Sequence, residues 1–373
     1  MANGALSLDD PRMISFALSE EHEIARAAVA EFARAELAPA ARAADEAAVF
    51  PSFLLASAWG LGLVQTTAES GTAALEQPTV MNALLLEELA YGDSAVAIAL
   101  AGPLGFAKAI AEQGSEAQKR EWLPLYSSDE PRFAAIAHRE AGWFQGAGKS
   151  TRAERVAGGW RLEGVKALIP LAARCSHFLA TAECEGARAA FVVSAAQPGL
   201  RIAPARGTLG LRALEMADVA FDGVFVSDSA RLGESASADV QRIIDASRVA
   251  LSAILGGLSR AVFDYALPYT KERVVHGEAI ARKQSVAFKL ADMHIAVQAM
   301  RWMALRAAAE LDENRTATRN ARLALRYSAD HALGIADEGV QIFGGHGFVR
   351  DLPLEMWYRN ARSLSVLDGL VGA

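Results

Sequence analysis

The chain has 373 residues, 52% hydrophobic and 22% charged, enough apolar side chain for a large core shared by two or three domains. A formal net charge of −7 without any basic run argues against a nucleic-acid partner. Two cysteines, Cys175 and Cys184, suit a reducing compartment and set up neither a disulfide framework nor a CxxC pair; no metal site is assigned. The first residues lack a basic stretch followed by an apolar core, so no signal peptide is expected, and apolar runs such as Ala95 to Pro103 are too short to cross a bilayer. The expectation is a cytoplasmic protein with no membrane partner.

From about Ser15 to Leu125 the pattern predicts helices. Ser19-Glu-Glu-His is a capping start, after which Ile24, Ala28, Phe32 and Leu37 recur at helical spacing. Met81 to Leu100 predicts a second helix, with Leu84, Leu85, Leu86 and Leu89 on its apolar side and Glu87-Glu88 on a solvated edge. Gly114-Ser-Glu-Ala-Gln-Lys opens a third, ending near Pro124.

The character changes near Pro131. Phe133 to His138 is an apolar run of strand length, and Gly158-Gly159 reads as the turn of a hairpin between Thr151–Val156 and Trp160–Gly164. Further strand-like runs are His177 to Ala182, Ala189 to Ser194, Leu200 to Ala203 and Ala217 to Val226.

Helix returns from about Val240. Val286, Leu290, Met293, Val297, Met300 and Ala304 form a coiled-coil-like seam, while Phe288, Ile295 and Trp302 repeat every seven residues on another face. A helix apolar on two faces is expected to be buried on both, in a bundle that also packs against another subunit. The fold class is therefore α+β: an N-terminal helical domain (1–131), a β-barrel or sandwich (132–232) and a C-terminal four-helix bundle (233–373).

The most informative stretch is Gln341 to Asp368. A helical pattern stops at Gly344-Gly345, where backbone can approach a ligand because no Cβ intervenes, and a short helix after Pro353 delivers one carboxylate, Asp368, next to Gly369. Gly146-Ala-Gly-Lys-Ser-Thr imitates the end of a phosphate-binding loop. The glycine required five positions before Gly148 is Trp143, and a strand rather than a helix is predicted to follow, so nucleoside triphosphate binding is rejected.

Taken in order, these pieces resemble the acyl-CoA dehydrogenase family over nearly the whole chain. The resemblance rests on Glu87-Glu88-Leu89-Ala90 with Gly92-Asp93-Ser94-Ala95, on Gly114-Ser-Glu-Ala-Gln-Lys with Trp122-Leu-Pro, and on Asp245-Ala-Ser-Arg248 with Gly256-Gly257. It continues in Tyr269-Thr-Lys-Glu-Arg273-Val-Val-His276-Gly277 with Gln284, and is most specific from Gln341 to Asp368. It implies FAD held between the β domain and the C-terminal helices, with a neighbouring subunit contacting its ADP half. Arg273 would pair with the pyrophosphate, Gln284 would donate to the cofactor from the next helix, His276 stands where the family has Phe, and Gln341 with Gly344-Gly345 would follow the ADP portion.

The implied reaction is α,β-desaturation of an acyl-CoA thioester. Asp368 occupies the position of the family's catalytic Glu, one methylene shorter; Arg248 would hold that acid or the substrate, and Asp245, one turn away on the same face, is grouped with it as substrate-binding. An electron-transfer flavoprotein-type acceptor and a homo- or hetero-oligomer, dimer or tetramer, are the implied partners. Some positions depart from the family pattern. Its Thr-Glu-Pro-x-x-Gly-Ser-Asp loop reads Arg139-Glu140-Ala141-Gly142-Trp143-Phe144-Gln145, its Trp-Ile-Thr reads Leu168-Ile169-Pro170, Asn360 replaces Asp, and Gly369 precedes Leu370 instead of Thr. Two readings follow: a flavoenzyme with a remodelled ring pocket, or a half-site partner subunit completing a cofactor site on a different, catalytic subunit.

Overall fold

The structure, a computed structural model, describes residues 18–65, 79–142, 150–233 and 238–369. The N-terminal part holds the helices α1 (Glu20–Phe32), α2 (Ala38–Ala47), α3 (Ser52–Trp59), α4 (Thr79–Gln113) and α5 (Glu116–Trp122) among the described residues. Ser19 caps α1, and Ser115 and Gln118 close a full capping box on α5. A π-turn at Ala33–Leu37 joins α1 to α2 and shifts the phase of the apolar stripe. Ile24 and Ala28, expected on that stripe, are exposed and Val29 and Ala33 are buried instead, while Leu37 is buried as expected.

Helix α4 is longer than the sequence suggested and is broken at Asp93 (φ −152°, ψ 112°). There the Asp93 carboxylate accepts the Ala95 N–H at 2.8 Å and restarts the helix as an N-cap. By length and composition α4 and the later helix Val240–Glu272 could cross a membrane, which corrects the expectation from shorter runs. Their most apolar windows are nevertheless 94% and 78% buried inside the protein, as befits core helices apolar all round. Glu87 and Glu88 lie in that interior and not on a solvated edge. Arg260 grips Glu88 with two N–H groups (3.0 and 2.5 Å) and Glu87 at 3.2 Å, and Arg301 reaches Glu87 at 3.3 Å. Burial still leaves the Glu87 pKa above its ordinary value.

The middle of the chain forms a seven-stranded sheet from β1 (Phe133–Ala137), β2 (Arg152–Val156), β3 (Gly159–Ile169), β4 (Cys175–Cys184), β5 (Ala187–Ser194), β6 (Leu200–Ile202) and β7 (Ala217–Ser227). Strand β4 is its axis. One edge pairs with β5 along its length; the other meets β1 in parallel at Cys175–Ala180 and then β2 at Glu183. The hairpin turn falls one residue earlier than expected, at Ala157-Gly158, because Gly159 pairs with Val156, and Gly158 supplies the positive φ of 79°. A strand, β2, does follow Ser150 and Thr151; Trp143 to Lys149 of the rejected phosphate-loop segment lie outside the described residues.

Four helices complete the chain: α6 (Val240–Glu272), α7 (Gln284–Asp312), α8 (Thr318–Phe343) and α9 (Leu354–Leu364), with a short β8–β9 hairpin (Val274–Val275, Glu278–Ala279) between the first two. Helix α6 packs on α4, α7 and α8, so the core runs continuously from the first helical group into the last. On α7, Leu290, Met293, Val297, Met300 and Ala304 are buried. Phe288 (60% exposed), Ile295 (63%) and Trp302 (41%) are not, so within one chain only one of the two expected apolar faces is covered.

Gly257 is the close contact between α4 and α6: a Cβ there would stand 2.1 Å from the Glu87 carbonyl oxygen. Helix propensity alone would make Gly257→Ala stabilising by about 1 kcal/mol. We expect a net loss of about 1–3 kcal/mol in urea unfolding, because the helices must move apart. A variant as stable as the wild type would show that this crossing is loose.

Candidate functional site

Asp368 is positioned from three directions. Helix α9, which leads to it, is bound to α2 by Arg359, whose guanidinium holds Asp45 at 3.1 and 2.6 Å and Glu355 at 2.7 Å. It is bound to the β domain by Asn360, whose Oδ1 accepts the Leu211 N–H at 2.7 Å, and by Ser363, whose Oγ accepts from Gly210 at 2.9 Å. The turn after α9 then buries Leu367 and leaves Asp368 with 53% of its side chain exposed.

On α6, Arg248 meets Asp368 with both arms of its fork: Nε to Oδ1 at 2.8 Å and Nη2 to Oδ2 at 3.1 Å. Asp245, one turn back, orients that fork by accepting from Arg248 Nη1 at 3.2 Å. Asp245 also accepts from Gln241 (2.8 Å) and from Thr318 on α8, so its acceptors are occupied and it sits behind Arg248, off the cavity wall. The sequence reading grouped Asp245 and Arg248 as substrate-facing; the structure separates them into an anchor and the group it aims. Although burial works against it, the two carboxylates hold the Arg248 pKa above its ordinary value, so the guanidinium stays charged.

Asp368 and Arg248 line a cavity of about 510 Å³ at the junction of the β domain and the helices. Its β-domain wall carries His138, Glu140, Thr181 and Arg188, and α8 adds Arg322. Lys166, fully buried beneath that wall, gives each ammonium hydrogen an acceptor: Glu140 at 2.5 Å, the His138 carbonyl at 3.2 Å and Thr181 Oγ1 at 3.3 Å. Burial lowers the Lys166 pKa to about 8 against the pull of Glu140. His138 Nδ1 lies 3.0 Å from Thr181 Oγ1, and the opposite ring edge rests on Gly369, where a Cβ would come within 2.3 Å of Cδ2. Burial, then Lys166, pushes the His138 pKa down to about 3. The sequence reading missed His138 and Lys166, since each looks like one polar residue at the end of, or within, a strand.

The remaining predicted residues lie elsewhere. Tyr269 stacks on Phe343 (centroids 3.8 Å apart) and Lys289 pairs with Glu338, so the end of α6, the start of α7 and the end of α8 meet at one corner. Arg273, His276, Gln284, Gln341, Gly344 and Gly345 gather there, all exposed. The Arg273 side chain has no hydrogen bond or ion pair among the described residues. His276 and Gly277 form the β8–β9 turn with φ of 54° and 83°, and Gly344 ends α8 with φ 58°. From Arg248 to Arg273 is roughly 37 Å along α6. One chain therefore does not bring this corner and Asp368 into one cavity.

The altered β-domain segment is well defined in part. Leu168 takes φ 58° and its N–H donates to Asp218 Oδ1 at 3.1 Å; Pro170 has no N–H. Trp143 to Gln145 and Leu370 fall outside the described residues.

Helices before and after an inserted β domain, with Asp368 clamped by Arg248 in the cleft between them, define a fold shared with known flavoproteins of acyl-thioester oxidation. Acyl-CoA dehydrogenase family profiles match three successive segments: the N-terminal domain at 19–130, the middle domain at 134–224 and the C-terminal domain at 238–370. The chain belongs to the acyl-CoA dehydrogenase family. It is 29% identical over 372 residues to a probable acyl-CoA dehydrogenase (fadE25) of Mycobacterium bovis, covering 96% of this chain and 95% of that one. It is 28% identical to the human mitochondrial short-chain specific acyl-CoA dehydrogenase, covering 95% and 88% respectively. Butyryl-CoA dehydrogenase from Megasphaera elsdenii superposes with a TM-score of 0.85 at 25% identity, covering 95% and 96%.

The His138 environment gives a signed pH prediction. Its pKa is about 3 folded against 6.5 ordinarily, so the unfolded chain binds the extra proton first, and the contribution to stability falls as pH drops from 6.5 toward 3. Relative to wild type, His138→Phe should gain stability steadily between pH 7 and pH 4 in urea titrations; a difference independent of pH would contradict the burial assigned to this ring.

Proposed function

We propose that the chain is an FAD-dependent acyl-CoA dehydrogenase-like oxidoreductase that desaturates an acyl-CoA thioester between its α and β carbons, with Asp368 as the base. The observation that carries this reading is the placement of Asp368: a half-exposed carboxylate on the wall of a 510 Å³ cleft, fixed by Arg248. That volume suits the acyl end of a thioester. An ionised carboxylate offers about four lone-pair sites, and Arg248 uses two of them, so acceptor capacity remains for the α-proton. Asp368 takes the α-proton; Arg248 holds the carboxylate in place and balances its charge; Asp245 keeps Arg248 aimed. Bound FAD supplies the acceptor for the hydrogen that leaves the β-carbon as hydride.

The chain's fit to FAD divides in two. At the bundle corner an exposed, unpaired guanidinium (Arg273), two amide side chains (Gln284, Gln341) and open glycine backbone (Gly344, Gly345) suit a pyrophosphate and its nucleoside, with His276 on the adjoining turn. The distance to Asp368 means that this corner would serve the cofactor of a neighbouring chain. The apolar stripe Phe288, Ile295 and Trp302 supports such association, as a dimer or tetramer. On the ring side the fit is poorer, since Leu168 already donates to Asp218 and Pro170 cannot donate. This supports a second reading, a non-catalytic or half-site subunit that completes the FAD site of a different acyl-CoA dehydrogenase chain. An electron-transfer flavoprotein-type acceptor and a cytoplasmic location belong to the first reading.

Asp368→Asn keeps the shape and one acceptor for Arg248 but removes the base. Turnover of an acyl-CoA should fall by about 10²–10⁴-fold with FAD and acyl-CoA binding retained; undiminished turnover would place the base elsewhere. Arg273→Ala should weaken FAD binding, and the penalty should shrink as salt is raised, because the lost pairing is itself screened. A penalty of equal size at low and high salt would assign Arg273 a packing role instead.

A further inference from the structure

We propose that His138 presents a fixed Nε2–H donor to the cleft beside Asp368 and uses it to bind the thioester carbonyl oxygen of the acyl-CoA. The inference rests on the acyl-CoA reading above and adds to it a residue that the family resemblance did not mark.

Hydrogen-bond logic sets the tautomer. Lys166 is an ammonium with three donors and no acceptor, and its acceptors are Glu140, the His138 carbonyl and Thr181 Oγ1. Thr181 Oγ1 takes the Lys166 hydrogen on one lone pair, and its own O–H has no other acceptor among the described residues, so we assign that O–H to His138 Nδ1, 3.0 Å away. With Nδ1 accepting, a neutral imidazole carries its hydrogen on Nε2. The ring is kept neutral by burial first and then by Lys166 and Arg188, which with Arg248 outweigh the opposing pull of Asp368.

Position completes the argument. Nδ1 faces Thr181, so the Cδ2–Nε2 edge points the other way, against Gly369 and along the cavity wall. Nε2 has no protein partner among the described residues. A Cβ at 369 would crowd this edge; glycine there, with φ of 79°, lets the ring lie against the backbone next to the base. When Asp368 removes an α-proton, negative charge develops on the thioester oxygen, and a preset neutral donor in a sheltered cleft is an effective way to stabilise it.

The test compares two ligands by calorimetry on the protein as purified: 2,2-dimethylbutanoyl-CoA, which has no α-hydrogen and is not consumed, and its thioether S-(2,2-dimethylbutyl)-CoA, which lacks the carbonyl. Wild type should bind the thioester about three- to tenfold more tightly than the thioether, the range expected for one hydrogen bond. His138→Phe should reduce that ratio to near unity, and His138→Gln should restore part of it. An unchanged ratio in a folded His138→Phe variant overturns the inference and leaves the acyl-CoA reading standing; failure of wild type to bind either ligand overturns both. Nitrogen-15 NMR of wild type gives a readout independent of any variant: the Nε2–H tautomer is expected for His138 at neutral pH, and an Nδ1–H tautomer would overturn the assignment.

Discussion

The Arg248–Asp368 pair is the contact on which the site depends. It joins the first third of α6, the most central helix of the C-terminal group, to a turn near the end of the described residues. Neither partner would hold its place alone. Asp245 and Thr318 fix Arg248 from behind, while Arg359, Asn360 and Ser363 fix the helix that carries Asp368. A carboxylate left by itself on a half-exposed turn would sample many rotamers. Clamped by a planar fork, it keeps one orientation while its remaining lone pairs face the cleft. The neutral donor assigned to His138 would act with it by stabilising the charge that develops on the thioester oxygen as the proton is removed.

Helix α6 also explains why one chain holds two partial sites and not one whole one. Its length puts Arg248 and Arg273 roughly 37 Å apart along the helix, and Arg273 does not line the cavity that holds Asp368. The corner made by Arg273, Gln284, Gln341 and Gly344 is exposed, and the side chains of Arg273, Gln284 and Gln341 have no hydrogen-bond partner among the described residues, a costless arrangement for polar groups in water and a poor one for a finished binding site. The exposed Phe288, Ile295 and Trp302 on α7 lie on the same bundle. Association through that stripe would shelter apolar surface and bring a second chain toward the open corner.

Much of this was legible in the sequence. The α–β–α order, the helix stop at Gly344 and the isolated acid after α9 follow from periodicity and glycine placement, and the family likeness follows from their order. What could not be read was anything depending on contacts distant in sequence. Glu87 and Glu88 looked solvated because their partners, Arg260 and Arg301, lie far along the chain. Asp245 looked substrate-facing because spacing on a helix gives a face but not what covers it. His138 and Lys166 each appear singly in the sequence; only the parallel pairing of β1 with β4 brings Thr181 between them. The π-turn at Ala33 displaced the expected stripe of α1, a phase error no 3.6-residue template anticipates.

The central claim is that the cleft holding Asp368 oxidises an acyl-CoA with flavin bound in this chain's own assembly. The most direct measurement is the visible spectrum of the protein purified alone, with FAD counted per chain, before and after anaerobic addition of acyl-CoAs of graded length. The account predicts a yellow protein with stoichiometric FAD that bleaches with at least one of them. A colourless protein that takes up FAD only when a second, different acyl-CoA dehydrogenase-type chain is added would contradict it, and would assign this chain the role of a supporting half.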